Sequence, residues 1–167
     1  SPYAEKVSNY LVEVYMNTRS YDAALKSIER IAKPSAQIME AKQKILFQLG
    51  TQSFANANFE QALQYLNQSI TIGQYNRQTK ADAYYWCGES YYRLNRMMEA
   101  ARDFNAYLQL TTQPNNEMYA LANYNLGYIA FHRKDYTQAS NYFQKYIQLE
   151  KGENRTALAD AYNRIGD

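Results

Sequence analysis

Few residues in this chain of 167 could carry out catalysis. His132 is the only histidine and Cys87 is the only cysteine, which excludes a histidine-based metal site, a cysteine-rich metal site and an internal disulfide. The sequence contains no phosphate-binding glycine loop, HExxH segment or nucleophile elbow. Glu13 and Glu89 fall on one predicted face two repeat units apart, too far for a retaining glycosidase pair at about 5 Å. We therefore expect a non-catalytic protein without cofactor or metal ion.

Aromatic side chains are the distinctive chemistry of the sequence. The chain has 18 tyrosines, 6 phenylalanines and 1 tryptophan, many of them at the spacing of one helix face. Tyrosine and tryptophan combine a large, rigid contact area with a polar group, which suits them to protein recognition. The predicted partner-binding groove is lined by Tyr10, Phe47, Phe54, Tyr85, Trp86, Glu89, Tyr92, Arg93, Tyr124, Asn125, Tyr128 and Phe131.

Core packing accounts for other aromatic residues, because aromatics at helical spacing often lie between helices. Cys87 replaces the leucine found at equivalent positions and is predicted to be a small buried hydrophobe. His132 is predicted to face solvent or the edge of the groove near a helix end. The aromatic residues predicted to pack between helices are Tyr84, Tyr91, Phe104, Tyr107, Phe143 and Tyr146.

The charge distribution excludes some kinds of partner. The formal net charge is +2, and residues of both signs are interspersed. Basic residues do not coincide with the aromatic face, so we expect no nucleic-acid binding. Apolar runs fall well short of the roughly 18 residues that a spanning helix needs, so we expect no insertion of this segment into a membrane. The expected partners are a protein or peptide, or a second copy of the chain.

Helices must position these side chains, since proline occurs only at positions 2, 34 and 114 and glycine is sparse. The apolar spacing predicts four antiparallel helix pairs with short polar turns inside each pair. A ninth helix is predicted to begin near 154. The predicted pairs are 3–17 with 21–32, 36–55 with 59–72, 78–94 with 97–111, and 116–133 with 136–150.

Small residues recur about every 38 residues along the chain. A period of this size is typical of a solenoid, in which each unit buries its apolar face against its neighbours. The small side chains predict close contact between helices. They are Ala24, Ala62, Ala100 and Ala139, and the glycines twelve residues before the last three, Gly50, Gly88 and Gly127.

The period also predicts the organisation of the chain. We expect a single solenoid domain over 1–167, with repeats at about 1–34, 35–76, 77–114 and 115–152 and a partial repeat at 153–167. The partial repeat keeps the apolar pattern of an internal unit at Tyr162 and Ile165. Since terminal repeats usually have a polar outer face, we expect the chain to be a piece of a longer protein.

The segment 120–150 resembles the tetratricopeptide repeat. The residues that carry the resemblance are Tyr124–Gly127 in the first helix, Lys134–Tyr136 at the turn, and Ala139 and Phe143 in the second helix. The segment 81–110 resembles it nearly as well. The resemblance implies an all-α, right-handed superhelical solenoid of four repeats and the first helix of a fifth. It also implies that ligands lie along a concave face lined by the first helices.

The repeats are longer than those of most family members. Equivalent positions 5, 43, 81, 120 and 159 are 38 or 39 residues apart, against about 34 in the family. Lengthened repeats with the core found at 85–92 resemble those of Gram-negative cell-envelope proteins, such as the Tol-Pal accessory protein and the outer-membrane assembly lipoprotein. This resemblance implies a periplasmic or outer-membrane-associated location, with the cytoplasm as the alternative.

One ligand mode of the family is not expected. Chaperone-binding members hold a C-terminal carboxylate with lysine, asparagine and arginine side chains. Asn125 and Arg164 match two such positions, but Tyr85, Glu89 and Asp160 stand where further lysine and asparagine residues would be needed. Acidic side chains in the groove would repel a carboxylate.

Two functions from different classes remain open from the sequence. The leading hypothesis is a non-catalytic scaffold that binds a peptide or partner protein in an aromatic concave groove. The alternative is a structural spacer or oligomerisation segment whose groove is filled by flanking repeats or by another copy.

Overall fold

The computed structural model describes Val12, residues 20–113 and residues 117–149. Some of the predictions lie outside these residues. They include the first helix of the first pair with Tyr10 and Glu13, and the ninth helix with Asp160 and Arg164.

The described residues form an all-helical solenoid, as the sequence predicts. Helices α2 and α3, α4 and α5, and α6 and α7 form antiparallel pairs, and α1 is the second helix of the first pair. The largest difference from the predicted bounds is at the end of α1, which was predicted at 32. The helices are α1 (Tyr21–Glu29), α2 (Ala36–Ala55), α3 (Phe59–Thr71), α4 (Arg77–Arg93), α5 (Met97–Leu110), α6 (Glu117–His132) and α7 (Tyr136–Leu149), with a 3-10 turn at Gly73–Tyr75.

The turns inside the second, third and fourth pairs have the same backbone conformation. In the last turn, the Lys134 N–H donates to the Phe131 carbonyl (3.0 Å) and the Asp135 N–H donates to the Ala130 carbonyl (2.9 Å). These two bonds satisfy carbonyls at the helix end and require one residue with a left-handed backbone. That residue is Ala57, Asn95 or Lys134 in the successive turns, with φ of 60°, 60° and 63°.

Glycines allow close contact between the two helices of the second, third and fourth pairs. A Cβ atom built on Gly88 would lie 2.7 Å from the Phe104 ring, and one on Gly127 would lie 2.7 Å from the Phe143 ring. Both rings are fully buried. The predicted close contact is confirmed, because no side chain larger than hydrogen fits at these positions without movement.

A buried amide connects the second and third pairs. The Gln43 Nε2 group donates to the Asn76 carbonyl (2.8 Å) and approaches the Gly73 carbonyl (3.5 Å). The Ser69 hydroxyl donates to the Gln43 carbonyl (2.8 Å). Gln43 is fully buried, so its amide brings a buried donor to carbonyls in and after the 3-10 turn.

Within the described part of the chain, none of the helices has both the length and the apolar character needed to cross a bilayer.

We predict that Gly127→Ala destabilises the protein. Helix propensity alone favours alanine by about 1 kcal/mol. Overpacking against the Phe143 ring costs roughly 1–3 kcal/mol and should outweigh that gain. Chemical denaturation would measure the change in unfolding free energy. A variant more stable than the wild type would show that the contact is not tight.

We predict that Gln43→Leu lowers the free energy of unfolding by roughly 1–3 kcal/mol, because it leaves buried carbonyls without a donor. Gln68→Leu, at an exposed position of α3, is the matched control and should change stability by less than about 0.5 kcal/mol. Equal effects of the two substitutions in urea unfolding would contradict a role for the buried amide.

Candidate partner-binding face

The first helices of successive pairs contact one another through side chains predicted for the groove. The Phe54 and Trp86 rings join α2 to α4, with centroids 5.0 Å apart. The Asn125 Nδ2 group donates to Glu89 Oε1 (2.8 Å) and joins α6 to α4. These contacts place α2, α4 and α6 side by side. We call their shared, half-buried to exposed surface the first-helix face: Phe47, Phe54, Trp86, Glu89, Tyr92, Arg93, Tyr124, Asn125, Tyr128 and Phe131.

One end of the first-helix face is an aromatic cluster with a cation. Phe54 packs edge-on against Phe59, with centroids 5.3 Å apart, as well as against Trp86. The Arg93 guanidinium lies 5.5 Å from the Phe54 ring centroid, within cation–π range. Arg93 itself is exposed, so this cluster presents both apolar area and positive charge to solvent.

The Glu89 carboxylate is the polar centre of the face. Its Oε1 atom accepts hydrogen bonds from the Tyr85 hydroxyl (2.9 Å) and from the Asn125 amide (2.8 Å). Burial, together with the nearby Glu89 charge, raises the pKa of Tyr85, so its hydroxyl remains a proton donor. The Asn125 amide donates to Glu89. This pair therefore differs from the carboxylate-binding residues expected of chaperone-binding proteins.

A second aromatic row runs along α6. The Tyr124 and Tyr128 centroids are 5.9 Å apart, and those of Tyr128 and His132 are 5.0 Å apart. Phe131 lies 5.5 Å from Tyr136 at the start of α7. His132 is exposed at the last position of α6, as predicted from the sequence.

Tyr85 is the residue for which the prediction of groove exposure is wrong. It is 3% exposed, and its ring packs on Phe104 (5.7 Å) and Tyr107 (5.4 Å) of α5. The repeat-equivalent residues Phe47 and Tyr124 are half-buried. This position is therefore at the border between the core and the face.

The packing predictions hold for the predicted core set. Tyr84 is half-buried and packs against the core, and the other aromatic residues of the set are buried. Sequence reasoning missed Met97 and Ile129, which line a cavity beside Tyr92 and His132. Comparison of Met97 with the repeat-equivalent Phe59 could have indicated that the side chain at this position is smaller in the later repeat.

The described residues contain no group of three or more histidine, cysteine, aspartate or glutamate side chains placed to hold a metal ion. Cys87 is fully buried, as predicted. Burial first, and the Asp103 carboxylate second, raise the pKa of its thiol. A buried thiol with a raised pKa is a poor nucleophile, since the thiolate is the reactive form.

Residues 120–153 match the family model of the tetratricopeptide repeat. The match covers α6 from residue 120, α7, and the residues that carry the resemblance in the sequence. It places Tyr124, Asn125, Tyr128 and Phe131 in the first helix of the repeat.

Solved structures share the fold over most of the chain. A crystal structure of MamA protein has a TM-score of 0.63 at 18% identity, covering 99% of this chain and 85% of that one. BtubC (BKLC) from P. vanneervenii has a TM-score of 0.65 at 13% identity, covering 95% and 69%. MamA 41-end from Desulfovibrio magneticus RS-1 has a TM-score of 0.56 at 14% identity, covering 98% and 92%. These identities support a shared fold and nothing finer.

None of the curated proteins matches the chain in sequence.

We predict that Cys87 reacts slowly with a thiol-specific disulfide reagent in the native protein. Because the pKa is raised, the thiolate fraction at neutral pH is smaller than in the unfolded chain, and burial blocks access as well. We expect the native reaction to be at least about a hundredfold slower than the reaction in denaturant. The single cysteine makes the colorimetric rate unambiguous. Native and denatured rates within about threefold of each other would contradict the buried position.

Proposed function

We propose that this chain is a non-catalytic scaffold that binds a segment of a partner protein along the first-helix face. The observation that carries the proposal is the continuity of half-buried side chains, most of them aromatic, across three successive first helices. Phe54 contacts Trp86 across one junction, and Glu89 contacts Asn125 across the next. Solenoids of helical repeats present extended surfaces of this kind to their partners.

The chemistry of the face suits a peptide or a helix with apolar side chains. Half-buried rings such as Trp86 and Tyr128 keep part of their area accessible and lose little rotamer entropy on binding. Arg93 and the Glu89–Asn125 pair supply polar groups that orient a bound segment. An extended or helical segment laid across the first helices would contact all of these groups.

A periplasmic or outer-membrane-associated location is part of this proposal. It is supported by the period of 38 or 39 residues and by the sequence 85–92. These features resemble the lengthened repeats of Gram-negative envelope proteins. The proposed location is taken from that resemblance. Fractionation of the native host cell, with antibody detection of the chain, would test the location.

The partner-binding role is tested by truncating accessible aromatic residues. We expect Trp86→Ala with Tyr128→Ala to weaken binding of an affinity-purified, identified partner by about 2 kcal/mol or more, as for hot-spot residues. Titration calorimetry with the purified partner would measure the loss. Tyr85 is unsuitable for this test, because its side chain is buried and its truncation would disturb the core.

The matched control removes two tyrosines from second helices. Tyr65 on α3 and Tyr142 on α7 are half-buried like the two face residues. We expect Tyr65→Ala with Tyr142→Ala to leave partner affinity within about threefold of wild type. Equal losses in both variants, with helical content retained in circular dichroism, would refute the first-helix face as the site. Concentration-dependent assembly in light scattering, unaffected by either variant, would support the spacer or oligomerisation alternative.

A further inference from the structure

A cavity of about 390 Å³ lies between the second helices α5 and α7 and the end of α6. We call it the second-helix cavity. Ala101 and Asn105 line it from α5, Ala130 lines it from α6, and Tyr142 lines it from α7. The described residues that line it lie outside the first-helix face. Its volume is within the range of ligand pockets, about 300–1,000 Å³.

A tyrosine ring fills the equivalent space one repeat earlier. Tyr91 and Ala130 are equivalent, because each follows the glycine of its first helix by three residues. Tyr91 is 8% exposed, and the Arg96 guanidinium lies 4.9 Å from its ring centroid. The residue equivalent to Arg96 is Asp135, which lines the cavity. The missing Tyr91 ring therefore accounts for the open space beside Ala130.

The surrounding side chains do not close this space. Tyr142 is larger than its equivalent, Asp103, yet the cavity remains open beside it. The Tyr142 hydroxyl approaches Asn105 Oδ1 of α5 (3.4 Å) and so spans one side of the cavity. A cavity left by a missing ring can bind a molecule of the size of that ring.

The walls of the cavity match an aromatic ring with one polar group. Leu126 and Ile129 are buried and supply an apolar wall next to Ala130. Arg133 and Asp135 line the cavity with opposite charges, so these two side chains together add no net charge. An uncharged ligand fits such walls better than an ion of either sign.

The polar groups near the ring differ between the two repeats. Tyr91 lies near two cations, since the Arg102 guanidinium is 5.7 Å from its ring centroid in addition to that of Arg96. The equivalent residues of the fourth pair are Asp135 and Asn141. Asp135 Oδ1 accepts a hydrogen bond from the Gln138 N–H (3.2 Å), and a carboxylate can accept several such bonds. The cavity thus offers a hydrogen-bond acceptor to a hydroxyl group.

We infer that the second-helix cavity binds a small, uncharged phenol. The ring lies beside Ala130 in the space that corresponds to the Tyr91 ring, and the hydroxyl donates to the Asp135 carboxylate. This binding is independent of the proposed function, because the ligand is a free molecule and the described lining residues lie outside the first-helix face.

The test uses p-cresol, which is the tyrosine side chain without its backbone. A ¹H–¹⁵N NMR titration of the whole chain measures the affinity and locates the site. We expect saturable binding with a Kd of about 1 mM or tighter, as for a small fragment. The largest shift changes should be at the amide groups of Ala101, Asn105 and Ala130. The methyl ether 4-methylanisole, which cannot donate a hydrogen bond, should bind about fivefold more weakly or worse.

A cavity-filling variant tests the site directly. Ala130→Tyr restores the residue found at the equivalent position of the preceding repeat. We expect it to keep its helical content in circular dichroism and to weaken p-cresol binding about tenfold or more, because its ring occupies the cavity. Ala130→Met, with a more flexible side chain, should have the same effect on binding if the tyrosine variant does not fold. The control, Gln64→Tyr at an exposed position of α3, should leave the affinity within about twofold.

Several results would overturn this inference. They are no saturable binding of p-cresol up to about 10 mM, shift changes centred on the first-helix face, and equal affinities of the wild type and a folded Ala130 variant. Equal binding of p-cresol and 4-methylanisole would refute the contact with Asp135. Binding of N-acetyltyrosinamide without binding of p-cresol would assign the cavity to a tyrosine of a peptide instead.

Failure of this inference is distinguishable from failure of the proposed function. Trp86→Ala with Tyr128→Ala changes no residue that lines the cavity, so we expect p-cresol to bind this variant as it binds the wild type. Loss of partner binding in that variant, with no p-cresol binding to either chain, refutes the cavity alone. Binding of p-cresol with partner affinity unchanged in that variant refutes the first-helix face alone.

Discussion

In the second, third and fourth helix pairs, the contact between a glycine of the first helix and a large side chain of the second helix is the constraint on which the packing of the solenoid depends. Leu66, Phe104 and Phe143 are fully buried over Gly50, Gly88 and Gly127, respectively. Since a Cβ atom at any of these glycines would come within 2.7 Å of the opposing side chain, the two helices of these pairs lie closer together than a larger side chain would allow. Pairs of the same thickness can then stack with their first helices side by side.

This shared framework leaves the junctions between pairs free to differ. Trp86 fills one junction at the position that Asn125 occupies in the next. Asn125 instead donates to Glu89 and adds a polar contact where the earlier junction has an aromatic one. Repetition therefore maintains the fold, while differences between repeats create distinct surfaces along one face. Recognition by a repeat protein depends on such differences, because identical units would offer a partner no preferred position.

Polar contacts fix the pairs relative to one another. The Gln43 amide donates to the Asn76 carbonyl in the link between the second and third pairs, and the Asn125 amide donates to Glu89 between the third and fourth pairs. Hydrogen bonds of this kind add direction to apolar packing, which by itself tolerates sliding of one helix over another. The first-helix face thus rests on a framework held by both close packing and directed polar contacts.

The sequence by itself determined the helical class, the pairing of helices and most helix ends, because the spacing of apolar residues and the turn residues are local properties. It also indicated which helices form the face, since the spacing places Trp86 and Tyr128 on the same side of two first helices. Only the tertiary structure decided that Tyr85 is buried whereas Tyr124 is half-buried. Adjacent helical residues point about 100° apart, so some side chains lie at the border of a face. Whether such a side chain is buried depends on the residues that pack on it from other helices. The cavity beside Met97 has the same origin, because its space depends on side chains from two helix pairs at once.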